Sequence, residues 1–283
     1  MGGLEPLSRP TDPPTADPLL ILATDMPTRR WRTLLTPPRP GAANMALDEA
    51  LMDRAAESGE WICRVYAWSE PTVSFGRNQA AARHYDPARL GERGLAAVRR
   101  PTGGRAILHH REITYSVAAP VLDAGGLHES YLRINRLLVD GLGSLGISVR
   151  VAGTRPQAML PGPIPCFDHP SAGELVVGKR KLVGSAQWRT ESSLLQHGSI
   201  LVDDDQSVLT SLLRVPAAAA PPAATLRDLL GEPPSLTDVG RAIFSAVERE
   251  DPDASPLALD RSLIESSSRL ATRYADPAWT WRR

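Results

Sequence analysis

A strand–turn–strand pattern over residues 95–119 limits the folds open to this chain more than any other feature. The runs LAAVRR and RAILHHREITYSVAA are rich in apolar and β-branched residues, and Gly103 and Gly104 separate them. Such runs predict β-strands joined by a glycine turn. Similar strand-like runs occur at residues 62–68, 72–76, 147–152, 173–189 and 192–202. The run at 173–189 is interrupted by Gly178 to Arg180 and predicts a hairpin.

Helical patterns accompany these strands. Residues 43–59 predict a helix with Asn44 as its N-cap, and residues 129–146 predict a second helix. Two more helical patterns follow residue 205, and the first begins with a capping box formed by Ser235 and Asp238. We therefore predict an α+β fold, a mixed β-sheet flanked by helices with a small helical C-terminal extension.

The composition argues against several classes of function. Lys plus Arg and Asp plus Glu number 32 each, so no net charge draws the chain to nucleic acid or to an anionic membrane. Only 2 cysteines in 283 residues make no disulfide framework and indicate a reducing compartment. We find neither a secretory signal nor the roughly 18 apolar residues of a membrane span. We expect a cytoplasmic protein without nucleic-acid or membrane partners.

The basic segment RRPTGGRAILHH is the first candidate for a ligand-binding site. Backbone N–H groups at Gly103 and Gly104 can approach a carbonyl, carboxylate or phosphate closely, because no Cβ intervenes. A tight turn is the more common explanation of such a pair. His109 is either a base or hydrogen-bond donor, or a hydrogen-bonded, half-buried histidine. Strand alternation turns His110 to the opposite face, so only one of the two can line a pocket.

Cys166, in the stretch PGPIPCFDHP, has three interpretations: a nucleophile, a metal ligand or a small apolar core residue. Asp168 and His169 are the nearest ligand types, but they lack the CxxC or HxxxH partners that zinc sites use, which argues against a metal. A Cys–His dyad with His169 stays open. Cys63 alternates with apolar residues and is predicted to lie in the core.

Lys181 follows the hairpin turn at residues 178–180. A solvated basic turn is the usual explanation of such a run. By alternation, however, Lys181 shares a face with Val183, so its ammonium would be held near an apolar surface. A partly desolvated ammonium beside a thiol favours the thiolate.

Several motifs in one order carry a resemblance to a known family. They are GAANMALDEAL, RVYAWSEPTVSFGRNQ, VRRPTGGRAILHHREITYSV, CFDHPSAGELVVGKRKLVGSAQWR and LLQHGSILVD. The chain resembles the lipoate–biotin attachment superfamily from about residue 31 to residue 203, and most closely the LipM-type octanoyltransferases. The resemblance implies a biotin/lipoate ligase catalytic-domain fold with a long-chain pocket beside the glycine turn. The proline-rich, polar N-terminal residues predict a disordered tail over 1–25. We expect a catalytic domain over 26–205 and a helical extension over 206–283 packed on the same domain.

The resemblance also implies roles for individual residues. Cys166 falls at the position of the acyl-thioester cysteine, and Lys181 matches a lysine that would favour the thiolate and hydrogen-bond the developing oxyanion. The residues implied to bind substrate are Arg99, Arg100, Thr102, Gly103, Gly104, Arg105, Ala106, His109, Gly184, Ser185 and His197.

The implied reaction is acyl transfer without metal or nucleotide. An octanoyl (or lipoyl) group passes from acyl-carrier protein to Cys166. It then passes to a lysine of a lipoyl-domain protein such as glycine cleavage H protein or an E2 subunit. The alternatives are an ATP-dependent lipoate–protein ligase that forms a lipoyl-adenylate with ATP and Mg²⁺, an amidotransferase between lipoyl domains, and a binding module without turnover. The set of Cys166, Lys181 and the glycine turn argues against the last.

Overall fold

The computed structural model describes residues 29–121, 126–153, 173–215 and 221–282. The strands in these ranges are β1 (Trp31–Leu35), β2 (Trp61–Tyr66), β3 (Thr72–Phe75), β4 (Ala96–Arg99), β5 (Ile107–His109), β6 (Glu112–Pro120), β7 (Arg150–Val151), β8 (Leu175–Val177), β9 (Arg180–Arg189), β10 (Ser193–Leu201) and β11 (Ser255–Pro256). The helices are α1 (Gly41–Ser58), α2 (Ala81–His84), α3 (Pro87–Glu92), α4 (Leu127–Ser144), α5 (Val208–Ser211), α6 (Leu226–Leu230), α7 (Leu236–Glu250), α8 (Arg261–Ala275) and α9 (Pro277–Thr280).

The strands form two sheets. The larger has the order β11-β1-β2-β6-β10-β9-β8-β7, and the smaller has the order β4-β3-β5. In the larger sheet β1 runs parallel to β2 and β11, whereas β2, β6, β10 and β9 pair antiparallel in succession. In the smaller sheet β3 is parallel to β4 and antiparallel to β5. The predicted mixed sheet is therefore confirmed.

Helices cover both faces of the larger sheet. On one face, Leu138 of α4 and Ile243 of α7 join a buried cluster that includes Val65 and Tyr115 of the sheet. On the other face, α1 packs against α8, and Leu51 belongs to the same cluster as Leu195 and Leu263. This burial of apolar side chains on both faces is the main stabilising contribution that the architecture offers. Among the described residues no helix combines the length and apolar character needed to cross a membrane.

The predicted strand over residues 105–119 is two strands in different sheets. The chain leaves the smaller sheet after His109 and enters the larger one at Glu112, so β5 pairs with β3 while β6 lies between β2 and β10. Both strands are buried along their whole length. Periodicity therefore offers no solvent-facing side from which the break can be recognised. The predicted strand at 147–152 shortens to Arg150–Val151.

The prediction that Asn44 caps the first helix is wrong. The helix begins at Gly41 after Pro40, and Asn44 lies inside it. Its side-chain amide donates to the carbonyls of Arg39 and Ala67, 3.1 Å away in each case, so it ties the helix to neighbouring loops. The predicted end is confirmed by Gly59, which adopts φ +72°.

The predicted capping box is also confirmed, because Ser235 and Asp238 exchange hydrogen bonds at the start of α7. The chain after residue 205 contributes more than helices. The short strand β11 adds to the edge of the larger sheet beside β1.

Candidate active site

An apolar pocket opens where the two sheets meet. The space between its lining atoms is about 420 Å³, and part of this space is open solvent. Its lining residues are Met45, Tyr66, Trp68, Arg100, Gly104, Ile107, His109, Thr114, Gly184, Ser185, Ala186, His197, Gly198 and Ser199. Six residues predicted to bind substrate are in this lining: Arg100, Gly104, His109, Gly184, Ser185 and His197.

Residues 102–105, here called the glycine loop, surround the Arg100 side chain and contribute Gly104 to the pocket lining. The Arg100 Nη2 atom donates to the carbonyls of Gly103 and Arg105, each 2.7 Å away. Gly104 adopts φ +92°, and a Cβ there would lie 2.7 Å from the same Nη2 atom. Gly76 packs against the loop so closely that a Cβ on it would lie 2.0 Å from the Gly104 carbonyl oxygen. Glycine is thus required at both positions.

His197 connects the pocket to a buried carboxylate. Its Nε2 atom lies 2.6 Å from the Thr102 hydroxyl, and its Nδ1 atom lies 3.3 Å from Asp48 Oδ2. Three other side chains donate to the Asp48 carboxylate at 2.7–2.9 Å: Arg64, Tyr66 and Ser116. Burial by itself would raise the pKa of Asp48, but the Arg64 charge and the His197 and Tyr66 hydrogen bonds hold it below its ordinary value. Asp48 is therefore a carboxylate at neutral pH.

His109 is part of a second arrangement of the same kind. Its Nε2 atom lies 2.8 Å from the Ser74 hydroxyl, and its Nδ1 atom lies 3.3 Å from Glu112 Oε1. The imidazole stacks on Trp68 with 3.9 Å between ring centroids. Burial lowers the pKa of His109 against the opposing effect of Glu112, so the ring is neutral near neutral pH. His110 is exposed and contacts Asp205, so only His109 lines the pocket, as strand alternation requires.

Lys181 is buried in an ion pair. Its Nζ atom donates to Glu174 Oε1 at 2.6 Å, and the two residues are 2% and 5% exposed. The solvated-turn interpretation is therefore wrong for Lys181, because β9 begins at Arg180 and directs the next side chain inward. A buried ammonium keeps its charge only where an anion compensates the loss of hydration, and Glu174 is positioned to do so.

A series of polar contacts connects Ser185 in the pocket lining with Gly173. The Ser185 and Tyr115 hydroxyls are 2.7 Å apart, and Gln196 donates to Tyr115 at 2.8 Å. Gln196 also donates to Asn135, whose amide in turn donates to the Gly173 carbonyl at 2.5 Å. These contacts hold the backbone at Gly173, next to Glu174.

Comparison with known proteins shows which family the chain belongs to. Residues 40–248 match the family model described as the lipoyl protein ligase A/B catalytic domain. The chain belongs to this family. It is 39% identical over 273 residues to the octanoyltransferase LipM of Kyrpidia tusciae, covering 89% of this chain and 99% of that protein. LipM of Symbiobacterium thermophilum is 37% identical over 275 residues, covering 89% and 98%. The expected membership of the LipM-type acyltransferases is confirmed.

Solved structures share the fold at lower identity. Lipoate–protein ligase A bound with ATP superposes with a TM-score of 0.72 at 20% identity, covering 89% of this chain and 98% of that one. Protein Ta0514 of T. acidophilum with bound lipoic acid gives a TM-score of 0.73 at 21% identity, covering 89% and 99%. The predicted ligase-type catalytic fold is thereby confirmed.

The remaining predicted residues of the lipoyl-ligase-type site lie around the pocket. Thr102 and Ala106 are fully buried, and Gly103 and Arg105 present their carbonyls to Arg100. The Arg99 guanidinium is also fully buried and connects two parts of the chain. It donates to the carbonyls of Gly76, Arg77, Gln79, Trp279, Thr280 and Arg282. Arg99 thus connects the C-terminal residues with the loop at Gly76, which packs against the glycine loop.

Of the two cysteines, only Cys63 lies among the described residues. Cys63 is 1% exposed in the sheet core, as predicted, and burial raises the pKa of its thiol to about 12. Such a thiol is not a nucleophile at neutral pH. Cys166, together with Asp168 and His169, lies outside the described residues, so its predicted role stays a prediction. Within the described ranges no group of three or more His, Cys, Asp or Glu side chains is arranged to hold a metal ion.

Sequence reasoning missed the groups that support the site. Asp48 and Ser74 lie in other segments than the histidines they contact, whereas Glu112 and Glu174 are only three and seven residues from His109 and Lys181. The available signal was weak: charged residues inside otherwise apolar runs, such as Asp48 in NMALDEAL and Glu112 before ITYSV. Their partners are set by the tertiary fold.

Proposed function

We propose that this octanoyltransferase takes its acyl group from octanoyl-acyl-carrier protein, holds it as a thioester on Cys166, and passes it to a lysine of a lipoyl-domain protein. Glycine cleavage H protein or an E2 subunit would be the acceptor, and the cytoplasm would be the site of the reaction. The observation that carries the proposal is the apolar pocket beside the glycine loop in a chain of the LipM family.

The reaction needs two substitutions at one carbonyl carbon. In the first, the Cys166 thiolate attacks the donor thioester, a new C–S bond forms, and the carrier thiolate leaves and takes up a proton. In the second, the acceptor lysine amine attacks the acyl-enzyme, the C–N bond forms, the C–S bond to Cys166 breaks, and the amine loses a proton. No step consumes ATP or requires a metal.

The buried Lys181–Glu174 pair would serve both steps. An ammonium beside the thiol favours the thiolate, and the same charge stabilises the oxyanion that develops on the acyl oxygen. Glu174 holds the ammonium in place at 2.6 Å and keeps it charged in an environment that excludes water.

Intact-mass analysis tests the proposal. The purified chain is incubated with octanoyl-acyl-carrier protein, and the expected gain is one octanoyl group, mapped to Cys166 by peptide analysis. Cys166→Ala should abolish this gain, and Cys63→Ala should keep it, because Cys63 is the only other cysteine and is buried in the core. Full activity of Cys166→Ala would refute the covalent mechanism.

A second arm separates transfer from ligation. Octanoate or lipoate is supplied with MgATP and a lipoyl domain, without acyl-carrier protein. Transfer through Cys166 predicts an unmodified lipoyl domain in this arm and a modified one with the acyl-carrier donor. Modification that depends on ATP and persists in Cys166→Ala would establish the ligase alternative instead.

A further inference from the structure

The glycine loop is tied to the far side of the pocket by a carboxylate–imidazole–hydroxyl series. Asp48 contacts Nδ1 of His197 at 3.3 Å, and Nε2 of His197 contacts the Thr102 hydroxyl at 2.6 Å. Asp48 comes from α1, His197 from β10, and Thr102 is the first residue of the glycine loop. Elements distant in sequence therefore meet on one loop residue.

The hydrogen positions along this series follow from the charge of Asp48. The Arg64 guanidinium, 2.7 Å away, keeps Asp48 ionised, and a carboxylate can only accept. Nδ1 of His197 must then carry a hydrogen. In the neutral ring Nε2 is an acceptor, so the Thr102 hydroxyl donates to it.

The series has the order of a hydrolase triad, but Thr102 is not placed to act as a nucleophile. Its side chain is fully buried, and Thr102 is outside the set of residues that line the pocket. A hydroxyl must reach the acyl carbon to attack it. The hydrogen bond from Thr102 to His197 instead restrains the loop.

The restraint is transmitted to the acyl-binding surface through the loop itself. The Thr102 carbonyl accepts the Arg77 N–H at 2.8 Å, and the next carbonyl, that of Gly103, accepts from Arg100. Gly104, two residues after Thr102, lines the pocket.

The second histidine repeats the pattern from the opposite side of the loop. Glu112 contacts His109, His109 contacts the Ser74 hydroxyl, and the same hydroxyl accepts from Arg100 at 3.0 Å. Arg100 then holds the Gly103 and Arg105 carbonyls. Both histidines are thus linked to the glycine loop by hydrogen bonds, His197 through Thr102 and His109 through Ser74 and Arg100.

We propose that Asp48 and His197 are positioning residues that hold the glycine loop, through the Thr102 hydroxyl, in the conformation that binds the acyl group. The identity of that acyl group rests on the proposed function. The hydrogen-bond series itself does not.

Two substitutions at Thr102 test this inference. Thr102→Val keeps the shape and removes the hydroxyl, and Thr102→Ser keeps the hydroxyl and removes the methyl group. Thr102→Val should raise KM for octanoyl-acyl-carrier protein about tenfold, equivalent to about 1.4 kcal/mol, with a much smaller change in kcat. It should also speed amide exchange across residues 102–105. Thr102→Ser should restore both values towards wild type.

A spectroscopic measurement tests the assigned hydrogen positions. The ¹⁵N shifts of His197, identified by comparison with His197→Gln, should report a hydrogen on Nδ1. An Nε2–H tautomer would overturn the inference. So would wild-type KM and exchange in Thr102→Val, or a Thr102→Ser variant as impaired as Thr102→Val.

The outcomes separate the two proposals. If wild-type protein does not transfer octanoyl from the carrier, the proposed function fails. Amide exchange and ¹⁵N shifts then still decide whether Asp48 and His197 hold the loop.

Discussion

Gly76→Ala should displace the glycine loop and so distort the pocket beside it. The new Cβ would lie 2.0 Å from the Gly104 carbonyl oxygen, whereas ordinary contact begins at 3.4 Å, so the loop must retreat by about 1.4 Å. The neighbouring Gly103 and Gly104 carbonyl carbons, 3.1 and 2.9 Å from that Cβ, are also backbone and cannot rotate away. Gly76 has no positive φ, so backbone strain does not confuse the result.

The expected cost is about 1–3 kcal/mol in unfolding free energy, typical of an overpacked interior. A misplacement of about 1 Å in a binding group can cost roughly a hundredfold in rate, so kcat/KM for octanoyl transfer should fall by at least tenfold. Urea unfolding and transfer kinetics measure the two effects. Gly91→Ala is the matched control, because open space surrounds its Cβ in α3, and it should leave transfer unchanged. A Gly76→Ala variant equal to wild type in both assays would refute the packing argument.

Three other predictions follow from the buried charges and the caps. Glu174→Gln should lower the unfolding free energy, because it removes the carboxylate that the buried Lys181 ammonium contacts at 2.6 Å. Glu174→Gln combined with Lys181→Met should recover much of the loss in thermal unfolding, and no recovery would contradict the pairing. The pKa of Asp48 is depressed in the folded state, so its contribution to stability is present above the unfolded pKa of about 3.9 and is lost as pH falls. Denaturation across acidic pH should therefore show a shallower loss in Asp48→Asn, and an equal loss would refute the assignment. Ser235→Ala should cost about 1 kcal/mol with unchanged transfer, because it removes only the cap of α7, and an unchanged midpoint of thermal unfolding would count against the capping box.

The residues of the pocket were predictable where they lie in one continuous motif. Arg100, Gly104 and His109 follow one another around a glycine turn, and the pocket includes them all. The resemblance added Gly184, Ser185 and His197 from two later strands, which the antiparallel pairing of β9 and β10 brings side by side. Local chemistry left a tight turn and a hydrogen-bonded histidine as the more common interpretations, so these positions were singled out by the resemblance.

The expected cap at Asn44 and the usual solvated-turn interpretation of Lys181 both failed, because the fold supplies each side chain with another partner. Asn44 has the residue type of an N-cap, yet its amide is used by loops at Arg39 and Ala67. Lys181 looks like a solvated turn lysine until Glu174 is brought within 2.6 Å. A side chain's own identity does not show which of several hydrogen-bond partners the fold will supply.

The sequence by itself determined the α+β class, the C-terminal end of α1, the start of α7, the buried Cys63 and the family, because periodicity, capping and ordered motifs are local properties of the chain. Only the tertiary structure decided that β5 and β6 belong to different sheets and that two buried carboxylates orient the pocket histidines. It also decided that Gly76 and Arg100 fix the glycine loop. Except for the His109–Glu112 contact, which spans three residues, those features join different segments of the chain. Such contacts exist only once the apolar faces have packed.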